Sequence, residues 1–448
     1  MVPRLRHGLV TTLSAALTAG CCQIIPSLCP PPTPQPAWTE TFNGGTAQGR
    51  VADVISTSSG YIAVGADDSG GPFAAAVWRS DDGKTWTREA PNAANFPDGS
   101  EIRAIHGPGA NGVFVAVGQK SIGHAGVWIA YPSQSSLVNA QFYKNGSLQA
   151  DSTFQLTDVI ILQNVFNPRP AIAVGYVYDS AHGKTQAAVW KSRPPALGGY
   201  SAWDEVYREP LDHSMYYPNQ YGGSMMTAVL ETTSDMSANG GPGFIAVGEY
   251  DKLKQALGYG GYVPDPDASI WTSGDGSTWA HLQTDYKLFA SVNTSSFNGD
   301  QRLNDVKVCA AAIYVGGYDE ELFSSTVAPS PMVPPIWRSL DMGNTWVRLT
   351  DGHSEDAAAF ANPSTIYRLD CNGLPFGFGE VAAGTRSIFG TSAGGFWRGA
   401  TGYPRWHQMD AFGEAVTLSA VSRRSNILIV AGQDRRSPAI WSYYVTTP

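Results

Sequence analysis

Charge is scarce in this 448-residue chain. Only 15% of the residues are Asp, Glu, Lys or Arg, and the acids outnumber the bases to leave a formal net charge of −9. No basic patch or stripe occurs, which argues against a nucleic-acid partner. Cysteine is also scarce. The five are Cys21, Cys22, Cys29, Cys309 and Cys371, and no two are spaced as C-x-x-C, so zinc-site and thioredoxin-like readings have no support. The eight histidines are scattered, without an H-E-x-x-H. The acidic runs "DPD" (265–267) and "DEE" (319–321) lack the ligand spacing of a calcium loop. On these grounds no metal and no cofactor is expected. No apolar run is long enough to span a membrane as a helix.

The chain is instead rich in Gly, Pro and Trp, with 49, 30 and 13 of them. That balance suits an exported all-β protein. Arg4 and Arg6 precede the moderately apolar "GLVTTLSAALTAG" (8–20), which reads as an export signal. "LTAGCC" resembles a bacterial lipobox, with Thr18 where Leu is usual. It implies lipidation at Cys21 and a membrane partner through that anchor. The alternative is ordinary secretory cleavage. The proline-rich "CQIIPSLCPPPTPQP" (22–36) should be an extended tether. The expected division is thus 1–20 signal, 21–36 lipidated tether and 37–448 folded domain. The expected location is the extracytoplasmic side of the membrane, or the medium. With Cys21 lipidated, Cys309–Cys371 and Cys22–Cys29 is the economical disulfide pairing.

Repetition decides the fold. From residue 51 one pattern recurs seven times. An apolar strand begins at Val51, Ile102, Leu156, Met226, Leu303, Ile366 or Leu418. A second strand ends in a small residue and Gly: Gly65, Gly118, Gly175, Gly248, Gly316, Gly384 or Gly432. A third ends at Trp78, Trp128, Trp190, Trp271, Trp337, Trp397 or Trp441. A fourth opens with Trp86, Trp203, Trp279, Trp346 or Trp406, and Phe142 is the candidate in unit two. Unit seven lacks a fourth strand, but "AWTETF" (37–42) is similar to "TWTREA" (85–90). The expectation is an all-β, seven-bladed propeller of four-stranded blades, closed by an N-terminal strand that completes the last blade. With Trp38, these positions account for all 13 tryptophans, so each is expected to fill space in or between blades.

The connections between third and fourth strands share a second motif. "SLDMGNTW" (339–346) has the spacing S-x-D-x-G-x-T-W, and "SDDGKTW" (80–86) and "SGDGSTW" (273–279) are shortened copies. Ser80, Asp82, Gly83, Trp86, Ser273, Asp275, Gly276, Trp279, Ser339, Asp341, Gly343 and Trp346 are the residues concerned. Asp accepting from nearby N–H groups, Gly at positive φ and an anchoring Trp describe a tight turn. The motif resembles the Asp box, or BNR repeat, of a superfamily that includes sialidases, xyloglucan hydrolases, sortilin-like receptors and a photosystem assembly factor. The resemblance covers nearly all of residues 38–448 and implies the propeller fold. A sialidase would also need an arginine triad, a Tyr–Glu pair, an Asp acid and an F/Y-R-I-P sequence. The nearest match to that last sequence is "YRLD" (367–370), although Arg103 and Arg368 do fall on expected innermost strands.

Loops between second and third strands, and between units, should share the face opposite those turns. They are longest in units four and five, and the connection from unit three to four is also long. Acids recur there at Asp68, Asp179, Asp251, Asp319 and Asp434, three of them behind Tyr178, Tyr250 and Tyr318. With Tyr216, Tyr217 and Glu320, these pairs are candidates to hold sugar hydroxyls, cations or a basic peptide; the plainer reading is turn and rim residues. The leading expectation is a surface-anchored, non-enzymatic propeller that recognises an envelope protein or glycan through units three to five. The alternatives are a glycoside hydrolase or lyase using rim carboxylates, and an assembly factor for an envelope complex.

Overall fold

The computed structural model describes residues 38–444, less segments 131–137, 163–169, 194–199, 212–221, 233–240, 256–261, 283–300, 320–335, 349–363 and 372–379 and shorter pieces of loop. The export signal and tether, with Cys21, Cys22 and Cys29, lie outside these residues. The described chain is a β-propeller. Its strands form antiparallel sheets in which consecutive strands pair as neighbours. Six sheets have four strands and one has six. Numbered in chain order, their inner strands are Gly49–Ser56, Glu101–His106, Phe154–Ile161, Ser224–Glu231, Gln301–Cys309, Ser364–Cys371 and Val416–Arg424. Each inner strand packs on the next sheet, and that of sheet seven packs on that of sheet one. Sheet seven takes its outer strand from the start of the chain. Thr39–Asn43 runs antiparallel to Ser437–Tyr444, with Glu40 opposite Trp441.

The third sheet departs from the expected four strands. Gln141–Lys144 joins its outer edge in parallel, placing Phe142 opposite Trp203, and Ser147–Leu148 pairs beyond it. Phe142 therefore does not open the fourth strand of sheet two, where the two residues Val138–Asn139 stand instead. The reason is steric and local: an exposed outer edge offers unpaired N–H and C=O groups, and the connecting chain satisfies them.

The repeated glycine has a geometric cause. Every inner strand carries a one-residue bulge, at Ala52, Arg103, Thr157, Thr227, Asn304, Tyr367 and Ser419. The bulge pushes the preceding strand's backbone against the second strand. A Cβ on Gly65 would lie 2.0 Å from the Arg50 carbonyl oxygen, and one on Gly118 2.1 Å from that of Glu101. In unit five this role belongs to Gly317, whose Cβ would lie 1.8 Å from the Arg302 oxygen, and not to Gly316 as its "IYVG" context implied. Two residues before each of these glycines, Ala or Val faces the third-strand Trp: Ala63–Trp78, Ala116–Trp128, Val315–Trp337 and Val430–Trp441 are examples. A small side chain there leaves room for the indole. Trp78, Trp190, Trp203, Trp271 and Trp337 are fully buried. The apolar clusters lie mainly between sheets, as where Val51 and Trp78 of sheet one meet Ile429 and Ile440 of sheet seven. Truncating such an indole to Ala costs about 3–5 kcal/mol.

Three turns between third and fourth strands repeat one hydrogen-bond pattern. The Ser80 Oγ accepts the Gly83 N–H at 2.8 Å, and Asp82 Oδ1 accepts the N–H groups of Lys84 and Thr85, each at 2.8 Å. Ser273 and Asp275 do the same for Gly276, Ser277 and Thr278. Ser339 serves Gly343, and Asp341 serves Thr345. The glycines have φ of 70°, 69° and 90°, where a side chain would be strained. Cys309 is disulfide-bonded, and Cys371 ends the neighbouring inner strand.

Candidate functional site

A bulge leaves one residue without a cross-strand partner and re-aims its side chain. Repeated in seven inner strands, it turns seven side chains toward the axis. These residues line a cavity of about 560 Å³, joined by Arg50, Tyr176, Met225, Arg302, Thr365 and Arg368. Most lie near the starts of the inner strands and Tyr176 near the end of a second strand. The antiparallel order therefore puts the cavity mouth on the face of the long loops, away from the three Asp-bearing turns.

Several bulge residues also tie one sheet to the next. The Thr157 hydroxyl donates to the Met226 carbonyl at 2.8 Å and the Thr227 hydroxyl to that of Leu303 at 2.6 Å. Asn304 Nδ2 donates to the Ile366 carbonyl at 2.8 Å, and the Ser419 hydroxyl to that of Val51. One residue further on, Asp53, Asp158 and Asp305 each accept an N–H from the following sheet: Ile105 at 3.0 Å, Val229 at 2.9 Å and Leu369 at 2.7 Å. His106 Nδ1 does so for Ile161 at 3.1 Å.

Four arginines enter the cavity, and no Asp or Glu lines it among the described residues. Glu101 accepts from Arg50 Nε at 2.7 Å and lies 3.5 Å from Arg103 Nε. One carboxylate therefore serves two guanidinium groups. Arg103 also donates to Gln155 Oε1 at 2.6 Å, which takes the Tyr176 hydroxyl as well. Arg302 stands 3.9 Å from Glu249, and its Nε has no hydrogen-bond partner. The side chains of Arg302, Arg103 and Arg368 are 39%, 22% and 14% exposed, which orders them from mouth to floor.

The floor is a buried charge cluster. Arg368 lies 3.8 Å from Asp305 and is grouped with Asp53, Asp158 and Lys307. Burial alone would lower the Arg368 pKa, but the three carboxylates together raise it. Asp305 chiefly raises that of Lys307. Burial pushes Asp158 up to about 6 and raises Asp53, in both cases against the pull of Arg368. Burial also holds His106 down to about 4, so it is neutral near pH 7.

The rim residues named from sequence divide differently. Asp179 is held below the usual carboxylate range by His182, whose Nδ1 is 2.8 Å away. Asp251 pairs with Lys184 at 3.0 Å, bridging sheets three and four. Tyr250 packs on His281 at 4.6 Å, and His281 stacks on Trp271 at 4.9 Å. Trp271 Nε1 donates to the buried Glu209 at 2.9 Å. Tyr178 is exposed. Tyr318 and Asp319 are on the second strand of sheet five, with Tyr318 opposite Arg302 in register. Tyr216, Tyr217 and Glu320 lie outside the described residues. Thus Asp179 and Asp251 are engaged in structural contacts, while Arg103 and Arg368 share one cavity. Sequence reasoning missed Arg50, Arg302, Tyr176 and Tyr367 as members of it. The variable position inside each otherwise constant first strand was a signal for Tyr367, and Arg50 and Arg302 share the position two residues before it. Among the described residues no group of three His, Cys, Asp or Glu side chains could hold a metal ion.

No protein-family model matches the chain, and no curated protein does. Solved structures match by shape. An ulvan lyase, a polysaccharide lyase solved with -[GlcA(1-4)Rha3S]- bound, has a TM-score of 0.51 and 11% identity over 91% of this chain and 96% of its own. The WD40 propeller domain of Doa1 has a TM-score of 0.45 and 10% identity over 91% and 97%. The propeller of the trilobed protease from Pyrococcus furiosus has 0.43 and 10% over 88% and 95%. At such identities the ulvan lyase likeness supports the propeller fold and nothing finer.

Proposed function

We propose that this protein is an exported, surface-anchored propeller that binds an anionic saccharide of the cell envelope in its axial cavity. In this reading the seven sheets are the blades of one closed Asp-box ring, and lipidation at Cys21 holds it at the membrane. The carrying observation is the set of four arginines in a cavity lined by no carboxylate among the described residues. Arginine's planar fork suits carboxylates and sulfates. Tyr367, Thr365 and Met225 offer the hydroxyls and apolar surface that a sugar ring meets. The saccharide bound in the ulvan lyase structure, with its glucuronate and sulfate, is of the same chemical class.

Calorimetry with trigalacturonate, a sulfated oligosaccharide and a neutral one tests this. The acidic ligands should bind and the neutral one should not. Arg302→Ala and Arg103→Ala should each weaken binding by about ten- to a hundredfold, as loss of a hydrogen bond to a charged group does. Equal binding of the neutral ligand, or unchanged affinity in both variants, defeats the proposal. A second reading, a polysaccharide lyase, is favoured by Tyr176 and Tyr367 lying beside the arginines. It requires unsaturated products to accumulate from an acidic polysaccharide, and their loss in Tyr367→Phe.

A further inference from the structure

We infer that anion binding in the axial cavity is coupled to the uptake of a proton by the carboxylates beneath Arg368. This rests on the binding reading above and adds to it. Arg368 belongs to two neighbourhoods at once. Its side chain lines the cavity, and it is also the central cation for Asp53, Asp158 and Asp305. Those carboxylates come from sheets one, three and five, and each is fixed by an N–H of the following sheet. They cannot swing away without breaking a contact between sheets.

The charge balance makes the coupling necessary. Asp158 faces Asp305 and Lys307 of sheet five and Arg368 of sheet six, and Asp53 of sheet one faces the same Arg368 and Lys307. Sheet four contributes the Val229 N–H. His106 of sheet two is neutral, and Asp370 of sheet six lies toward Lys307 and Arg423. Around Arg368, then, three carboxylates face two cations. With all three ionised, an incoming anion meets a floor with one carboxylate in excess. Drawing the guanidinium toward that anion weakens its hold on the acids below, in a buried place where charges interact strongly. The least costly response is for one carboxylate to take a proton, and Asp158, which is buried and faces a second carboxylate in Asp305, is the one to do so. Its neutral form keeps an oxygen to accept the Val229 N–H.

Linkage gives the sign. A complex that holds one more proton than its parts is favoured as pH falls, by up to about tenfold per pH unit above the free pKa. Trigalacturonate is the probe, since its carboxylates stay ionised from pH 6 to 8. Its affinity should rise about tenfold from pH 8 to pH 7 and level off below pH 6. At pH 7 the binding heat should differ between phosphate and Tris by the ionisation heat of about one proton. Asp158→Asn should remove that difference and bind at pH 8 about as tightly as the parent does at pH 6. Should that variant fold poorly, the two-buffer measurement on the unaltered protein decides alone. Measurable binding with buffer-independent heat and flat affinity overturns the coupling and leaves the binding reading standing. No binding of trigalacturonate or sulfated oligosaccharide at any pH overturns that reading, and the coupling with it.

Discussion

The two faces of the propeller use repetition in opposite ways. On the turn face, equivalent positions hold the same residues: Ser80, Ser273 and Ser339, then Asp82, Asp275 and Asp341, then glycines at positive φ. Each Asp is satisfied by N–H groups of its own turn. At the axis, equivalent positions hold the same backbone and different residues. The seven bulges carry Ala52, Arg103, Thr157, Thr227, Asn304, Tyr367 and Ser419. A residue type that recurs at equivalent turns serves the turn. A position that is geometrically constant and chemically free can serve a ligand that meets the whole ring once.

The largest test of this contrast strikes the backbone that both faces share. Gly118→Ala places a Cβ about where the Glu101 carbonyl oxygen stands, 2.1 Å away. Neither atom belongs to a flexible side chain, so the bulge at Arg103 must shift. Destabilisation of about 3–5 kcal/mol is expected, measured by urea unfolding. Ligand affinity should fall as well, because Arg103 loses its aim. A stable variant with unchanged affinity would show that the bulge does not position the site.

A smaller test separates the faces. Asp341→Ala removes the acceptor for the Thr345 N–H at 2.7 Å and for its hydroxyl at 2.5 Å. Leaving a turn donor unmet costs about 1–2 kcal/mol. Affinity for acidic saccharides should not change. The reverse pattern, intact stability with lost binding, would place a function on the turn face.

Much of the fold was legible because its causes are local and repeated. Trp at the end of each third strand and Gly at the end of each second report on packing that every unit must solve alike. The similarity of "AWTETF" to "TWTREA" placed Thr39–Asn43 on the last sheet. The failures have physical reasons too. Gly316 was preferred to Gly317 because sequence shows the small residue and not the bulge that demands it. Phe142 was assigned to unit two because chain order hides an edge that pairs across units. The candidate site was read less well. Tyr–Asp pairs past the second strands stood out by their repetition, yet Asp179 and Asp251 proved to be held by His182 and Lys184. Arg50 and Arg302 share one position two residues before the bulge, but in the other units that position is not arginine. They meet only because the inner strands of different sheets line one cavity, which is a property of the propeller and not of any unit within it.

The smallest test uses pH to isolate the axis from the turns. Asp82 and Asp275 are held below the usual carboxylate range, chiefly by the N–H groups of Thr85 and Thr278. Their stabilisation is present above the ordinary value of 3.8 and is lost only as pH falls below it. Between pH 7 and pH 5 they contribute no slope. His106 does, because its folded value of about 4 lies under the ordinary 6.5. Its stabilisation is present above 6.5 and lost as pH falls, by about 2 kcal/mol down to pH 5. Asp158 has the opposite sign. Its folded value of about 6 exceeds the ordinary 3.8, so stability is gained as pH falls through 6, by about 1 kcal/mol at pH 5. The two partly cancel, and together they should cost the protein only about half a kcal/mol over this window. Asp158→Asn removes the gain and keeps the loss, so its urea midpoint should fall roughly three to four times as steeply with acid. Parallel slopes for the two proteins would mean that Asp158 titrates alike folded and unfolded, and that the cluster beneath Arg368 is open to water.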